Sequence, residues 1–290
     1  MVKTLNSKSI RVVSVDAPYP EQFMATFADI NRSWKERNSW MLAAVRALGN
    51  RYKRTYLGPW WITLTSLLFI FGLSQLRIGL GGGDWKEALP YVGLGFIVFG
   101  LIIGGIQSGA SVFARGGDTM LTSRLPISSL IFRNNFEQVL DFLHDAVAIL
   151  VIIIVFDIAF SWRWIESLLA VVLMVLSSIG IGMWLGPLAN RFRDVGPLIA
   201  VYTRILFFLT PVFWSIDMVS ENGREYLAWY NPLTYQLLAF RDPILGSTHN
   251  PPLGISPLGI TAILAVVNLA LGFIVFSKYR TKQVYWATAS

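Results

Sequence analysis

The sequence predicts an all-helical integral membrane fold of six spanning helices, and three observations lead there. Only 14% of the 290 residues are charged and 54% are hydrophobic, where a soluble domain carries about 25% charged residues. Mean hydropathy is +0.55. The apolar residues fall into runs of about 18 to 22, long enough for helices to cross about 30 Å of hydrocarbon. Most runs are apolar on every side, whereas helices covering a soluble core are amphipathic.

Residues Met1 to Pro20 are polar and lack an apolar signal-peptide core, so no cleavable leader is expected. Residues 1–30 read as a weakly patterned N-terminal extension, extended or partly disordered, with no assigned role. Residues 31–57 read as an amphipathic interfacial helix. Trp34, Met41, Val45, Leu48 and Tyr52 recur at helical spacing, with Lys35, Arg37, Arg46, Arg51, Lys53 and Arg54 as a basic complement. Such a helix lies in the inner interface against anionic lipid.

The domain at 58–278 holds six expected spans: Pro59–Leu76, Leu89–Ala110, Val139–Phe160, Trp164–Ala189, Val195–Ser215 and Pro257–Ser277. Residues 279–290 form a tail. With both termini cytoplasmic, eighteen Lys and Arg fall inside and five outside, which fixes that orientation. A seventh apolar stretch, Tyr226–Leu245, is interrupted by Pro232 and Pro243 and carries Arg241 and Asp242. A crossing there would carry the basic tail outside. It reads as a re-entrant helical hairpin, the alternative being an amphipathic outer loop. Irregular backbone at that depth must face protein or water.

Catalytic chemistry is excluded in several forms. There is no cysteine, and His144 and His249 are the only imidazoles, too few for a His-rich metal site. No Gly-Lys pair exists, so the phosphate-cradling loop of a nucleotide hydrolase is missing. Gly81-Gly82-Gly83 reads as a turn. The net charge of +7 fits basic inner loops and anionic headgroups rather than nucleic acid. If the protein pumps, ATP hydrolysis must come from another polypeptide. Two inner loops are placed to receive that motion: Ser111–Asn135, with Arg115, Asp118 and Arg124, and Asn190–Val195, with Arg191, Arg193 and Asp194. The plainer reading of both is positive-inside anchoring.

Arg51-Tyr52-Lys53-Arg54-Thr55-Tyr56-Leu57-Gly58-Pro59-Trp60-Trp61 resembles the entry to span one in type-2 ATP-binding-cassette permeases that export polysaccharides, and Asn190-Arg191-Phe192-Arg193-Asp194-Val195 that family's loop after span four. Thr210-Pro211-Val212-Phe213-Trp214 resembles the end of span five. Tyr230-Asn231-Pro232-Leu233-Thr234 with Phe240-Arg241-Asp242-Pro243-Ile244-Leu245-Gly246 resembles the outer re-entrant segment. The resemblance implies a homodimer in the bacterial inner membrane, coupled to two ATPase subunits that hold the ATP and magnesium, with no cofactor on this chain. It also implies a lipid-linked glycan as substrate (O-antigen, capsule or teichoic acid) and a coupling helix within Ser111–Asn135.

A sliding polymer needs many weak contacts, which aromatic rings supply against sugar C–H faces. The chain has 40 aromatics, many at span ends as an interfacial belt. Trp184, Tyr202, Phe207 and Phe208 lie deeper and are the channel-lining candidates. Glu137, Asp141 and Asp145 share a helical face beside His144, and Arg204 lies about 13 Å into span five. A charge there needs a partner or water. An Arg204–Asp145 or Arg204–Asp141 pair is one reading, a polar channel wall a second, and a proton relay a third. Asn231, Pro232, Arg241 and Asp242 are the outer-gate candidates. A drug or small-lipid exporter shares this fold, and a membrane enzyme acting on lipid-linked sugars is the different-class alternative.

Overall fold

The computed structural model describes residues 19–58, 60–116, 125–220, 225–249, 251–252 and 254–288, and among them the fold is entirely helical. Helix α1 spans Tyr19–Lys35 and α2 Arg37–Arg51, followed by α3 (Trp60–Gly79), α4 (Trp85–Arg115), α5 (Ser128–Val155), α6 (Trp164–Arg191) and α7 (Val195–Leu209). Two short helices, α8 (Ile216–Ser220) and α9 (Tyr226–Trp229), precede α10 (Pro232–Leu245). Helix α11 (Pro257–Tyr279) continues through a 3-10 turn at Arg280–Lys282 into α12 (Gln283–Thr288).

Among the described residues, five helical stretches are long and apolar enough to cross a membrane: α3, α4, α5, α6 and the Pro257–Trp286 stretch. The expected fifth span, Val195–Ser215, is helical only to Leu209. Its 15 residues reach about 22 Å. Pro211 sets that limit, because the residue before a proline is pushed out of the helical region. The inner loop is shorter than expected, since α4 runs to Arg115 and α5 starts at Ser128, placing Arg133 and Asn135 inside a helix. The expected coupling helix lies mostly outside the described residues, including Asp118 and Arg124.

Helix starts follow local chemistry. Asp84 caps α4 by accepting the amides of Lys86 and Glu87. Asn231 caps α10 by accepting Leu233 N at 3.0 Å, and Ser256 caps α11 by accepting Gly259 N at 3.1 Å. In both of these, proline occupies the first helical position, where no N–H is needed. Gly246 ends α10 at φ 71°, a left-handed conformation suited to glycine.

The N-terminal region corrects two expectations. Residues 19–30 are helical, and the chain breaks at Glu36 into two helices. Trp40, Ala44 and Leu48 form the buried face of α2, and the Trp40 ring lies against Phe132 and Phe136 of α5. Trp34 and Val45 remain exposed at 58% and 50%. Contact with α5, rather than periodicity alone, selects the covered side. Helix α1 is tied to both neighbours. The Asp29 carboxylate accepts Ser128 N at 3.0 Å and pairs with Arg280 at 3.2 Å, while Ser33 Oγ bonds the hydroxyls of Ser128 and Ser129.

The core gathers on α4, with Val92, Leu94, Val98 and Phe113 fully enclosed. Helices α6 and α11 approach most closely at glycines. The Gly180 position abuts the Asn268 and Leu269 backbone, and Gly272 abuts the Gly180 carbonyl. Arg51, Arg115, Arg191, Arg193 and Arg280 mark one end of the bundle, here called the basic end.

At the far end, Arg77 closes α3, Tyr91 lies near the start of α4, and the Thr210–Trp214 turn follows α7. Tyr91 Oη donates to Trp214 O at 3.1 Å, and Arg77 reaches Phe213 O at 3.3 Å. From Met218 beside Arg77 the chain turns inward to Asn231, which shares a cavity with Ile102 and Ile106, midway along α4. Helix α10 then returns, so that Arg163 at the start of α6 donates to Ser247 O just beyond its end.

Candidate functional site

Three groups of sequence-predicted residues can be followed from one end of the bundle to the other. At the basic end the acidic face of α5 engages α2. Arg51 Nη1 donates to both oxygens of Asp141 at 2.9 and 3.2 Å, and its Nη2 lies 3.9 Å from Glu137. Burial opposes the Arg51 charge, but the hydrogen bond and attraction from Asp141 outweigh it and raise the guanidinium pKa. Arg133 holds Glu137 at 2.9 Å, and Arg115 donates to Asn134 Oδ1 at 2.6 Å. Asp145 accepts from Ser66 Oγ at 2.7 Å.

The expected pairing of Arg204 with Asp141 or Asp145 is therefore overturned. Both carboxylates are engaged from α2 and α3, while Arg204 lies exposed on α7 and pairs with neither among the described residues. Arg191 sits over the rings of Phe192 and Trp286 at 5.3 and 5.2 Å. Arg193 lines a cavity of about 260 Å³ with Asn190, Gly196 and Trp286. Asp194 starts α7 with its carbonyl, which accepts Leu198 N at 3.1 Å; its side chain makes no capping bond.

In the middle of the bundle α7 has one covered and one open side. Thr203 and Leu206 are buried, and Gln107 donates to Thr203 Oγ1 at 2.7 Å. Val201, Tyr202, Arg204, Ile205 and Phe208 lie exposed on a shared side. Phe207 instead packs inward against Phe99 and Phe213. Trp184 is engaged too, donating from Nε1 to Asn268 Oδ1 at 3.1 Å.

At the far end Arg241 is fully buried. Its Nη1 donates to Pro211 O at 2.8 Å, and its guanidinium lies 3.7 Å from the Tyr91 ring centroid, while that of Arg77 lies 3.9 Å from the same centroid. Arg241 Nε and Nη2 and Arg77 Nε have no hydrogen-bond partner among the described residues, and cation–π contact compensates part of that cost. Asp242 accepts from Ser247 Oγ at 3.1 Å and pairs with His249 Nδ1 at 2.8 Å. A cavity of about 640 Å³ opens beside this pair, lined also by Arg163, Glu166 and Ser256.

Sequence reasoning missed Arg51, Arg77, Tyr91, His249 and Asn268 as partners. Only His249, seven residues beyond Asp242, has a partner near enough in the chain to have been found from sequence.

Long apolar helices joined by short connections, with charge gathered at their ends and few polar groups between, define a multi-pass α-helical membrane protein. The chain belongs to the ABC-2 type transporter family, whose pattern matches residues 38–245, from the start of α2 to the end of α10. It is similar to two proteins of Klebsiella pneumoniae, each named O-antigen export system permease protein RfbA. One is 25% identical over 243 residues, covering 81% of this chain and 90% of that protein. The other is 28% identical over 229 residues, covering 76% and 85%.

Proposed function

We propose that this chain is the membrane subunit of an ATP-driven exporter that moves a lipid-linked polysaccharide across the bacterial inner membrane, as a homodimer coupled to two ATPase subunits. One observation carries the reading beyond the family: the open side of α7. Arg204 lies there about 13 Å from the start of the helix, exposed beside Tyr202 and Phe208 and without a carboxylate partner among the described residues. A cation at that depth needs water or protein rather than acyl chains. A second copy facing α7 across a hydrated channel supplies both. The names of the two Klebsiella relatives support a glycan as the cargo.

In this reading α7 with the Thr210–Ser215 turn makes the sixth crossing. The basic end is cytoplasmic with both termini, and α1 and α2 rest on the inner leaflet through exposed Met24, Phe27, Trp34, Leu42 and Val45. Helices α9 and α10 form the re-entrant hairpin of an outer gate, supported by the entry of the chain to Asn231 and its return to Gly246. Arg115, Asp118, Arg124, Arg191, Arg193 and Asp194 form the surface that receives the ATPase.

The test is co-purification of this chain with the ATPase encoded beside it. ATP turnover by the complex and none by the chain alone is the expected result. Turnover by the chain alone, with contaminating ATPases excluded, overturns the division of labour.

A further inference from the structure

The cavity at the N-terminal end of α10 has an unusual composition for its depth. Its volume is about 180 Å³, and its polar lining is Ser177, Ser178, Tyr202, Asn231, Gln236 and Asn268, set among aliphatic side chains of α4, α6, α7 and α11. No charged residue lines it. Most of its polar groups are already engaged. Asn231 donates to Thr210 Oγ1 at 2.7 Å and accepts Leu233 N. Asn268 accepts from Trp184 and donates to Ser177 Oγ at 3.0 Å and to Leu264 O at 2.9 Å.

Two of the buried groups are not engaged. Gln236 is 5% exposed, and among the described residues its amide has no hydrogen-bond partner. Ser178 Oγ is buried without a partner. An amide and a hydroxyl left open inside a membrane protein call for water or a ligand, because each unpartnered buried group costs about 1–3 kcal/mol. A half-helix whose N-terminus points into such a cavity is a recurring way to build a substrate site near the bilayer midplane.

We infer that this cavity is a subsite for one neutral sugar ring of the passing glycan, with the Gln236 amide and the Ser178 hydroxyl as its hydrogen-bonding groups. The inference rests on the export reading above. Chemistry selects the ligand class. The uncharged lining disfavours a phosphate or uronate, and an acyl chain leaves both polar groups unpartnered. The space holds a few waters or a single pyranose, whose hydroxyls replace those waters one for one. Tyr202, half exposed at 51%, also lines the cavity and brings an aromatic ring to the sugar C–H groups. The Trp184–Asn268–Ser177 chain fixes part of the lining, so the site is formed before the sugar arrives. Contacts this few and this weak hold a sugar briefly and release it, as a sliding polymer requires.

The test measures surface glycan in cells carrying Gln236→Met or Ser178→Ala, beside thermal unfolding of the same variants in detergent. Export is expected to fall roughly fivefold or more in each, as loss of about one hydrogen bond implies. Unfolding temperature should hold or rise, because an open polar group has been removed. Wild-type export in both variants overturns the subsite. If Gln236→Met fails to reach the membrane, Ser178→Ala decides, since it only removes an oxygen beside Gly105.

A second readout uses Leu264→Cys on this cysteine-free chain. Thiol labelling of that cavity-lining position should be slower in membranes from glycan-making cells than in membranes from cells blocked in glycan synthesis. Equal rates mean a cavity that holds only water and also overturn the subsite. Failure of the export reading looks different: deletion of the gene then leaves surface glycan at its normal level.

Discussion

Replacing Gly180 with alanine tests the packing that holds α6 against α11. A Cβ built there lies 2.5 Å from Asn268 O and 2.6 Å from Leu269 N, both backbone atoms. Comfortable contact begins near 3.5 Å, so the helices must part by about 1 Å or the chain must bend. Overpacking of this kind costs about 1–3 kcal/mol. Separation also strains the Asn268 bond to Ser177, worth about 0.5–1.5 kcal/mol. Gly100 is the internal control, because nothing lies within 4 Å of its added carbon. There alanine should stabilise the helix by about 0.5–1 kcal/mol. Thermal unfolding in detergent, followed by tryptophan fluorescence, reads both. The expected result is opposite signs, a lower midpoint for Gly180→Ala and an equal or higher one for Gly100→Ala. An unchanged midpoint for Gly180→Ala refutes the close approach of the two helices.

Other perturbations have equally definite outcomes. Arg241→Met leaves the Pro211 carbonyl without its donor and removes the stack on Tyr91; release of a buried charge offsets part of this, and a net loss of about 1–3 kcal/mol is expected in the same melting assay. A midpoint above wild type would show that desolvation of the guanidinium dominates. A double-mutant cycle with Arg51→Ala and Asp141→Ala should give a coupling of about 0.2–1 kcal/mol, because the pair is partly exposed, and zero coupling would remove it as a tie between α2 and α5. Thr234 is fully buried, so Thr234→Cys should resist an external impermeant thiol reagent at rest and react when the ATPase is trapped with nucleotide. Labelling that ignores nucleotide describes a static cap and no gate.

The sequence made the helices legible where one physical requirement dominates. The apolar runs of α3 to α6 and α11 are dictated by hydrocarbon, and Asn231-Pro232 and Ser256-Pro257 announce the starts of α10 and α11 through capping chemistry. Where two requirements compete, the reading failed. Periodicity places Trp34, Val45 and Leu48 on one apolar stripe, and Trp34 and Val45 do stay exposed, but Leu48 is buried together with Trp40, which the stripe leaves out and the aromatics of α5 cover. The i, i+4, i+8 spacing put Glu137, Asp141 and Asp145 on one face, but not which cation would meet them. Arg51 lies 90 positions from Asp141, and helical spacing says nothing at that separation. The unpartnered amide of Gln236 is a property of its surroundings, so no motif could have marked it.

The central claim is that this chain carries a lipid-linked glycan outward with energy supplied by a separate ATPase, and the location of that glycan tests it most directly. In a strain lacking the gene, the completed glycan should accumulate on the cytoplasmic side and disappear from the surface. The intact gene should restore surface glycan only while the partner ATPase can hydrolyse ATP. Normal surface glycan in the deletion strain, or restoration alongside a hydrolysis-dead ATPase, would contradict the account.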